Sequence, residues 1–250
     1  DGSSEIVISS KLRQSLVMTE QTEQTEQTEQ TEQTEQTETR FHLDFQVPGQ
    51  LRNLIWVPDT IRTLHEDEIE VRTHAAGLNF RDVMYLMGLL PDEAVENGFA
   101  GASLGLEFSG VVTRVGARVK EYLPGDTVMG FGARCFASHI VTRADAVANV
   151  PKGWTLESAS TLPTAFFTVY YALKHLANIQ SGERLLIHGA AGAVGIAAIQ
   201  LALHLGVEIY ATVGSDEKRD FVSLLGADHV FDSRSLSFSE DILAITAGEG

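Results

Sequence analysis

Apolar positions recur with two different periods along this chain, and the change of period falls near residue 150. Before it, FHLDFQV (Phe41–Val47) and EFSGVVTRVGARV (Glu107–Val119) alternate polar and apolar residues, and EIEVRTHAAGL (Glu68–Leu78) between them is strand-like. PGDTVMGF (Pro124–Phe131) reads as a turn into a strand, and CFASHIVTRADAVANVP (Cys135–Pro151) closes the region. Short strands at this spacing predict a small barrel or curled sheet. One or two helical turns interrupt it at FRDVMYLMGLL (Phe80–Leu90). After Pro151 the spacing turns helical over TLESASTL (Thr155–Leu162) and TAFFTVYYALKHLA (Thr164–Ala177), with Thr164 as the expected N-cap. LLIHGAAGAVGIAAIQLA (Leu185–Ala202) then reads as a buried strand, a glycine turn and a helix starting near Val194. EIYATVG (Glu208–Gly214), SDEKRDFVSLLGA (Ser215–Ala227) and HVF (His229–Phe231) continue as strand, helix and strand. This β-α-β-α order implies an α/β fold with a parallel sheet.

The glycine turn carries the first chemistry. Gly189, Gly192 and Gly195 let the backbone turn tightly and approach an anion, and the helix behind them aims unpaired N–H groups and its positive dipole end at the same point. The spacing is G-x-x-G-x-x-G, one residue off the common G-x-G-x-x-G fingerprint, and a turn that serves packing alone would look similar. In such units the tip of the second strand meets the adenosine ribose. A carboxylate there accepts the 2′-OH of NAD, whereas a hydroxyl and cations hold the 2′-phosphate of NADP. Ser215, Lys218 and Arg219 supply the second set and favour NADPH; Asp216 is the residue that would serve NAD.

Residues Thr19 to Gln36 are six tandem TEQ triplets, with nothing apolar to bury. They are expected to form a disordered linker, and their three-residue period does not fit a coiled coil. EIVISSKLRQSLVM (Glu5–Met18) before them reads as the last piece of an upstream element. The seven glutamates from Glu20 to Glu38 account for much of the net charge of -16. What remains is still acidic and without a basic cluster, which argues against nucleic-acid binding. A single cysteine, Cys135, excludes an internal disulfide and a multi-cysteine zinc site, and is expected to be a small buried hydrophobe. No apolar run approaches the twenty or so residues of a membrane span, so a cytoplasmic protein is expected.

With these elements placed, the chain resembles the medium-chain dehydrogenase/reductase superfamily, and within it the enoyl reductase domains of type I polyketide and fatty acid synthases. The resemblance rests on GLNFRDVM (Gly77–Met84), LGLEFSGVVTRVG (Leu104–Gly116), FFTVYYAL (Phe166–Leu173), the glycine turn, TVGSDEKR (Thr212–Arg219) and DSRSLSFSEDIL (Asp232–Leu243) followed by TAGEG. It implies a tail over residues 1–39, a GroES-like β-rich substrate domain over 40–158, and a C-terminally incomplete Rossmann domain over 159–250. It also implies the chemistry: NADPH gives hydride to Cβ of a trans-2-enoyl thioester borne on the phosphopantetheine of an acyl carrier protein, among neighbouring synthase domains. The cofactor residues so implied are Gly189, Ala190, Gly192, Ala193, Val194, Gly195, Ser215, Lys218 and Arg219. Asn79, Arg81 and Asp82 of the LNFRD run are the catalytic candidates, with Asn79 at the nicotinamide end and Arg81 and Asp82 equally readable as a pair that orients the short helix.

The departures shape the expectations. Zinc-dependent relatives place a histidine ligand where this chain has Leu106, so no metal is expected. Leu90 stands before Pro91 where many synthase reductases have a proton-donating tyrosine, and Ala193 replaces a glycine of the turn. His188 is expected to be a strand-end residue near the cofactor and not an acid or base. Family members continue past TAGEG, so about three of six strands are present and a fragment of a longer synthase is expected. A free-standing quinone or enoyl-CoA reductase and a non-catalytic reductase scaffold are the alternatives.

Overall fold

The computed structural model describes residues 39–250; the TEQ repeats and the Glu5–Met18 segment lie outside them. β1 (Arg40–Phe45) and β2 (Leu54–Asp59) form an antiparallel pair. Backbone bonds from Leu43 N–H to Phe136 O (2.7 Å) and from Ser138 N–H to Phe41 O (2.9 Å) tie that pair to the main sheet. β3 (Glu68–Gly77), β4 (Glu107–Val115), β5 (Thr127–Phe131), β6 (His139–Arg143) and β7 (Val147–Asn149) make a five-stranded antiparallel sheet in the order β6-β3-β4-β5-β7. Register shifts between Glu70 and Val71 and between Thr73 and Ala75 bend β3, the bulge device that curls a sheet. The alternating inward residues Ile69, Val71, Phe108, Val112, Val128 and Ile140 close over Cys135, all nearly inaccessible. The Cys135 thiol is wholly buried and burial pushes its pKa well up, as befits a packing residue.

Two short helices, α1 (Phe80–Leu86) and α2 (Asp92–Glu96), connect β3 to β4. α3 (Leu156–Ala159) lies against β3 and β4. It is followed by α4 (Pro163–Tyr170), which continues as a π-helical turn over Tyr171–Leu176. The sequence expectation of Thr164 as N-cap is corrected here: Pro163 occupies the first helical position, where its fixed φ and missing N–H suit the helix, and Leu162 precedes it as the cap.

The second half is a parallel three-stranded sheet in the order β10-β9-β8, from β8 (Arg184–His188), β9 (Glu208–Val213) and β10 (His229–Asp232). α5 (Ala193–Leu205) and α6 (Asp216–Leu224) link the strands, and α7 (Ser237–Ile245) follows β10. α5 ends where Gly206 turns left-handed at φ +69°, a conformation that favours glycine. A second core of Val169, Ile187, Ala197, Ile199, Ile209, Ala211 and Val222 packs α4 and α5 onto this sheet. No helix among the described residues is long and apolar enough to cross a membrane.

Candidate active site

All three parallel strands end on one side, so the segments that follow them share one edge of the sheet, the edge where open α/β sheets bind ligands. After β8, Gly189 turns at φ +63° with open space where a side chain would stand. Ala190 N–H donates to Thr212 O (3.1 Å) and Gly192 N–H to Gly189 O (3.0 Å), which fixes the turn. Gly192 caps α5, and Ala193, Val194 and Gly195 form its first turn, whose N–H groups have no intrahelical acceptor. Ala193 and Val194 are exposed. A Cβ on Gly195 would lie 2.5 Å from the Ala190 Cα, so this glycine is what lets α5 sit down on the turn. Open space above Gly189 and an exposed first turn with free donors fit a pyrophosphate.

At the end of β9, the Ser215 hydroxyl accepts the Lys218 N–H (3.4 Å) and caps α6, while the Lys218 side chain is exposed. Arg219 does not join them. Its guanidinium donates to Val230 O and lies 4.0 Å from Asp216, turned under α6 toward β10. In its place Arg234, in the turn after β10, puts Nε 3.6 Å from where a Cβ on Gly214 would stand, with the Ser233 hydroxyl at 3.5 Å from the same point. The sequence reading missed Arg234 because only the parallel pairing of β10 with β9 sets the two turns side by side. His188, at the end of β8, bonds through Nδ1 to the Thr212 hydroxyl (3.1 Å), and Phe238 packs edge-on to its ring.

A second cluster surrounds Asn79, the residue before α1. Its backbone N–H donates to Asp82 Oδ2 (3.0 Å), and Asp82 Oδ1 accepts the Gly105 N–H (2.9 Å). Burial pushes the pKa of Asp82 up, and these two N–H donors oppose the shift. The Arg81 guanidinium donates to the carbonyls of Gly101 and Ser103 and stacks on Tyr85 at 4.8 Å. Arg81 and Asp82 thus anchor α1 to the 98–105 loop.

The Asn79 amide donates to Glu107 Oε1 (2.9 Å), and Glu107 Oε2 accepts the backbone N–H of Thr164 in the first turn of α4 (2.8 Å). Glu107 is 4% exposed. Burial raises its pKa against those two donors, and Asp82 adds to the rise. Sequence reasoning passed over it, although an acid inside the apolar run LGLEFSGVV was a visible anomaly. Phe131 at the end of β5 meets Phe167 of α4 edge-on at 5.2 Å, a second link between the halves.

Comparison with known proteins matches residues 65–160 to the alcohol dehydrogenase GroES-like domain and residues 193–250 to the zinc-binding dehydrogenase family. A highly reducing polyketide synthase of Didymella fabae is 42% identical over 189 residues, which are 75% of this chain and 10% of that protein. The pikromycin polyketide synthase component PikAII of Streptomyces venezuelae is 40% identical over 209 residues, 81% of this chain and 5% of its own length. The chain therefore spans only a small part of these synthases. Among solved structures, CurK enoyl reductase superposes with a TM-score of 0.78 at 41% identity, over 84% of this chain and 65% of that one. Escherichia coli quinone oxidoreductase complexed with NADPH gives 0.69 at 32% identity, over 84% and 63%. Two consecutive family matches, in the order of the two hydrophobic cores, agree with these likenesses. The chain belongs to the medium-chain dehydrogenase/reductase superfamily and is similar, within it, to the enoyl reductase domains of polyketide synthases.

Proposed function

We propose that this chain is the NADPH-dependent enoyl reductase domain of a cytoplasmic polyketide synthase, reducing a trans-2-enoyl thioester carried on the phosphopantetheine of an acyl carrier protein. The observation that carries the reading is the phosphate cradle at the start of α5, aligned on one sheet edge with Lys218 and Arg234. Gly189 to Gly195 hold the pyrophosphate, and Lys218, Arg234 and the Ser215 and Ser233 hydroxyls hold the 2′-phosphate. The cofactor supplies hydride. Asn79 orients its nicotinamide end, while Arg81 and Asp82 position α1 without touching the reacting atoms. We place the boundary between substrate and cofactor domains near residue 158, where packing passes from the first core to the second. Likeness to synthase reductases favours a carrier-bound substrate, whereas likeness to quinone oxidoreductases keeps quinone reduction as the second reading.

The test is fluorescence titration with NADPH followed by assays with crotonyl thioester and with a quinone. It is run on this chain and on a version extended to the full length of the reductases it matches. NADPH binding with thioester reduction supports the proposal. Turnover of the quinone alone would replace it with the second reading, and binding by neither form would leave a scaffold.

A further inference from the structure

A carboxylate at 4% exposure on a strand is uncommon, and its partners show what it does. Glu107 accepts the Asn79 amide with one oxygen and the Thr164 backbone N–H with the other. Asn79 belongs to the entry of α1, beside the first core. Thr164 belongs to α4, whose Val169 lies in the second core. One carboxylate therefore grips a group from each half. The strand pair is shaped around it, since a Cβ on Gly77 would stand 2.5 Å from Glu107 Oε1.

We propose that Glu107 is a positioning residue: it fixes the Asn79 carboxamide relative to α4, and so sets how Asn79 meets the nicotinamide end of a bound cofactor. The inference rests on the reading of this cleft as an NADPH site. A terminal amide rotates in a broad, two-fold well, and its two ends have opposite hydrogen-bonding character. An ionised carboxylate accepts only, so Glu107 dictates that the NH2 end of Asn79 faces it. Glutamine at 107 keeps the shape but carries a single acceptor oxygen, and its own NH2 must confront either Asn79 or the Thr164 N–H.

The experiment titrates the wild-type chain and Glu107→Gln with two ligands, NADPH and 2′-phospho-ADP-ribose, which shares the pyrophosphate and adenosine end but lacks nicotinamide. The variant should bind 2′-phospho-ADP-ribose within about twofold of wild type and NADPH about tenfold more weakly, the loss of one hydrogen bond to a charged group. Equal weakening for both ligands, or none for either, overturns the proposal. A second measurement needs neither cofactor nor variant. In 1H–15N spectra of the wild-type chain, the Asn79 side-chain NH2 should be shifted from the free-amide position and slow to exchange; free-amide shifts with fast exchange overturn it. If wild type binds neither ligand, the cofactor reading fails, while the NH2 spectrum still decides whether Glu107 holds Asn79.

Discussion

A 2′-phosphate at the end of β9 would meet two exposed cations, Lys218 on α6 and Arg234 in the turn after β10. Each charge-assisted bond to phosphate is worth roughly 1–2 kcal/mol at a partly solvated site. Lys218→Ala and Arg234→Ala should therefore each shrink the preference for NADPH over NADH about tenfold, measured as the ratio of dissociation constants. Arg219→Ala should leave that ratio within about twofold, because its guanidinium is committed to Val230 O; thermal unfolding should register a loss of about 1 kcal/mol instead. A ratio that follows Arg219 and ignores Arg234 would reverse this assignment. The glycine turn before α5 and the Ser215 cap of α6 were legible in the sequence because their geometry is local, a tight turn and a helix start. Arg234 and Glu107 were not, because each acts on a partner brought near by strand pairing: Arg234 on Gly214, and Glu107 on Asn79 and, 57 residues away, Thr164.

At the scale of elements, the contact of α5 with the turn before it is set by one atom's width. Gly195→Ala would press its methyl into the Ala190 backbone, so α5 must lift from the sheet. A loss of about 1–3 kcal/mol is expected by urea unfolding, with NADPH binding weakened as the cradle opens. The curled sheet has its own fastening. Glu70 of β3 is fully buried and accepts from Arg40 of β1, from Arg114 of β4 and from the Thr113 hydroxyl at 2.8 Å. These donors hold its carboxyl far below the usual range against the opposing effect of burial. Its neighbour Glu68, bonded to Arg62 at 2.7 and 2.8 Å, is lowered to about 2. Both acids bind their protons less readily in the folded state than in the unfolded one. Their stabilisation is thus complete above the usual value of 4.5 and lost as pH falls from there toward 2. Glu70→Gln should lower stability at pH 7 by about 3 kcal/mol, because it leaves two arginines facing a neutral group, and should flatten the loss between pH 5 and 3. An unchanged acid limb in the variant would move the effect to other carboxylates. The strand that carries both acids was readable in the sequence as strand-like. The bulges in β3 and the π-helical turn after α4 were not, since both depend on packing and leave the local pattern intact.

The described residues form two hydrophobic cores, joined by α4 packing on β4 and β5, by the Phe131–Phe167 edge and by Glu107 reaching Thr164. An interface of that kind leaves each core its own cooperative unit. The proposed phosphate cradle and the cations proposed for the 2′-phosphate sit wholly on the second. A ligand that binds the folded form alone stabilises it by RT ln(1 + [L]/Kd), about 2.7 kcal/mol at a hundredfold excess over Kd. Saturating NADPH at that excess should therefore slow amide exchange in β8 and β9 about a hundredfold. In β3 and β4 the slowing should be several-fold only, transmitted through Asn79 and Glu107, where the proposed site would bring the nicotinamide end to the first core. Equal slowing in both sheets would mean that the two cores unfold as one, and that the carboxylate bridge and the aromatic contact couple them more strongly than their number suggests. No slowing in β3 and β4, with the full effect in β8 and β9, would instead mean that NADPH is held by its phosphates and that Asn79 is not engaged until substrate closes the cleft.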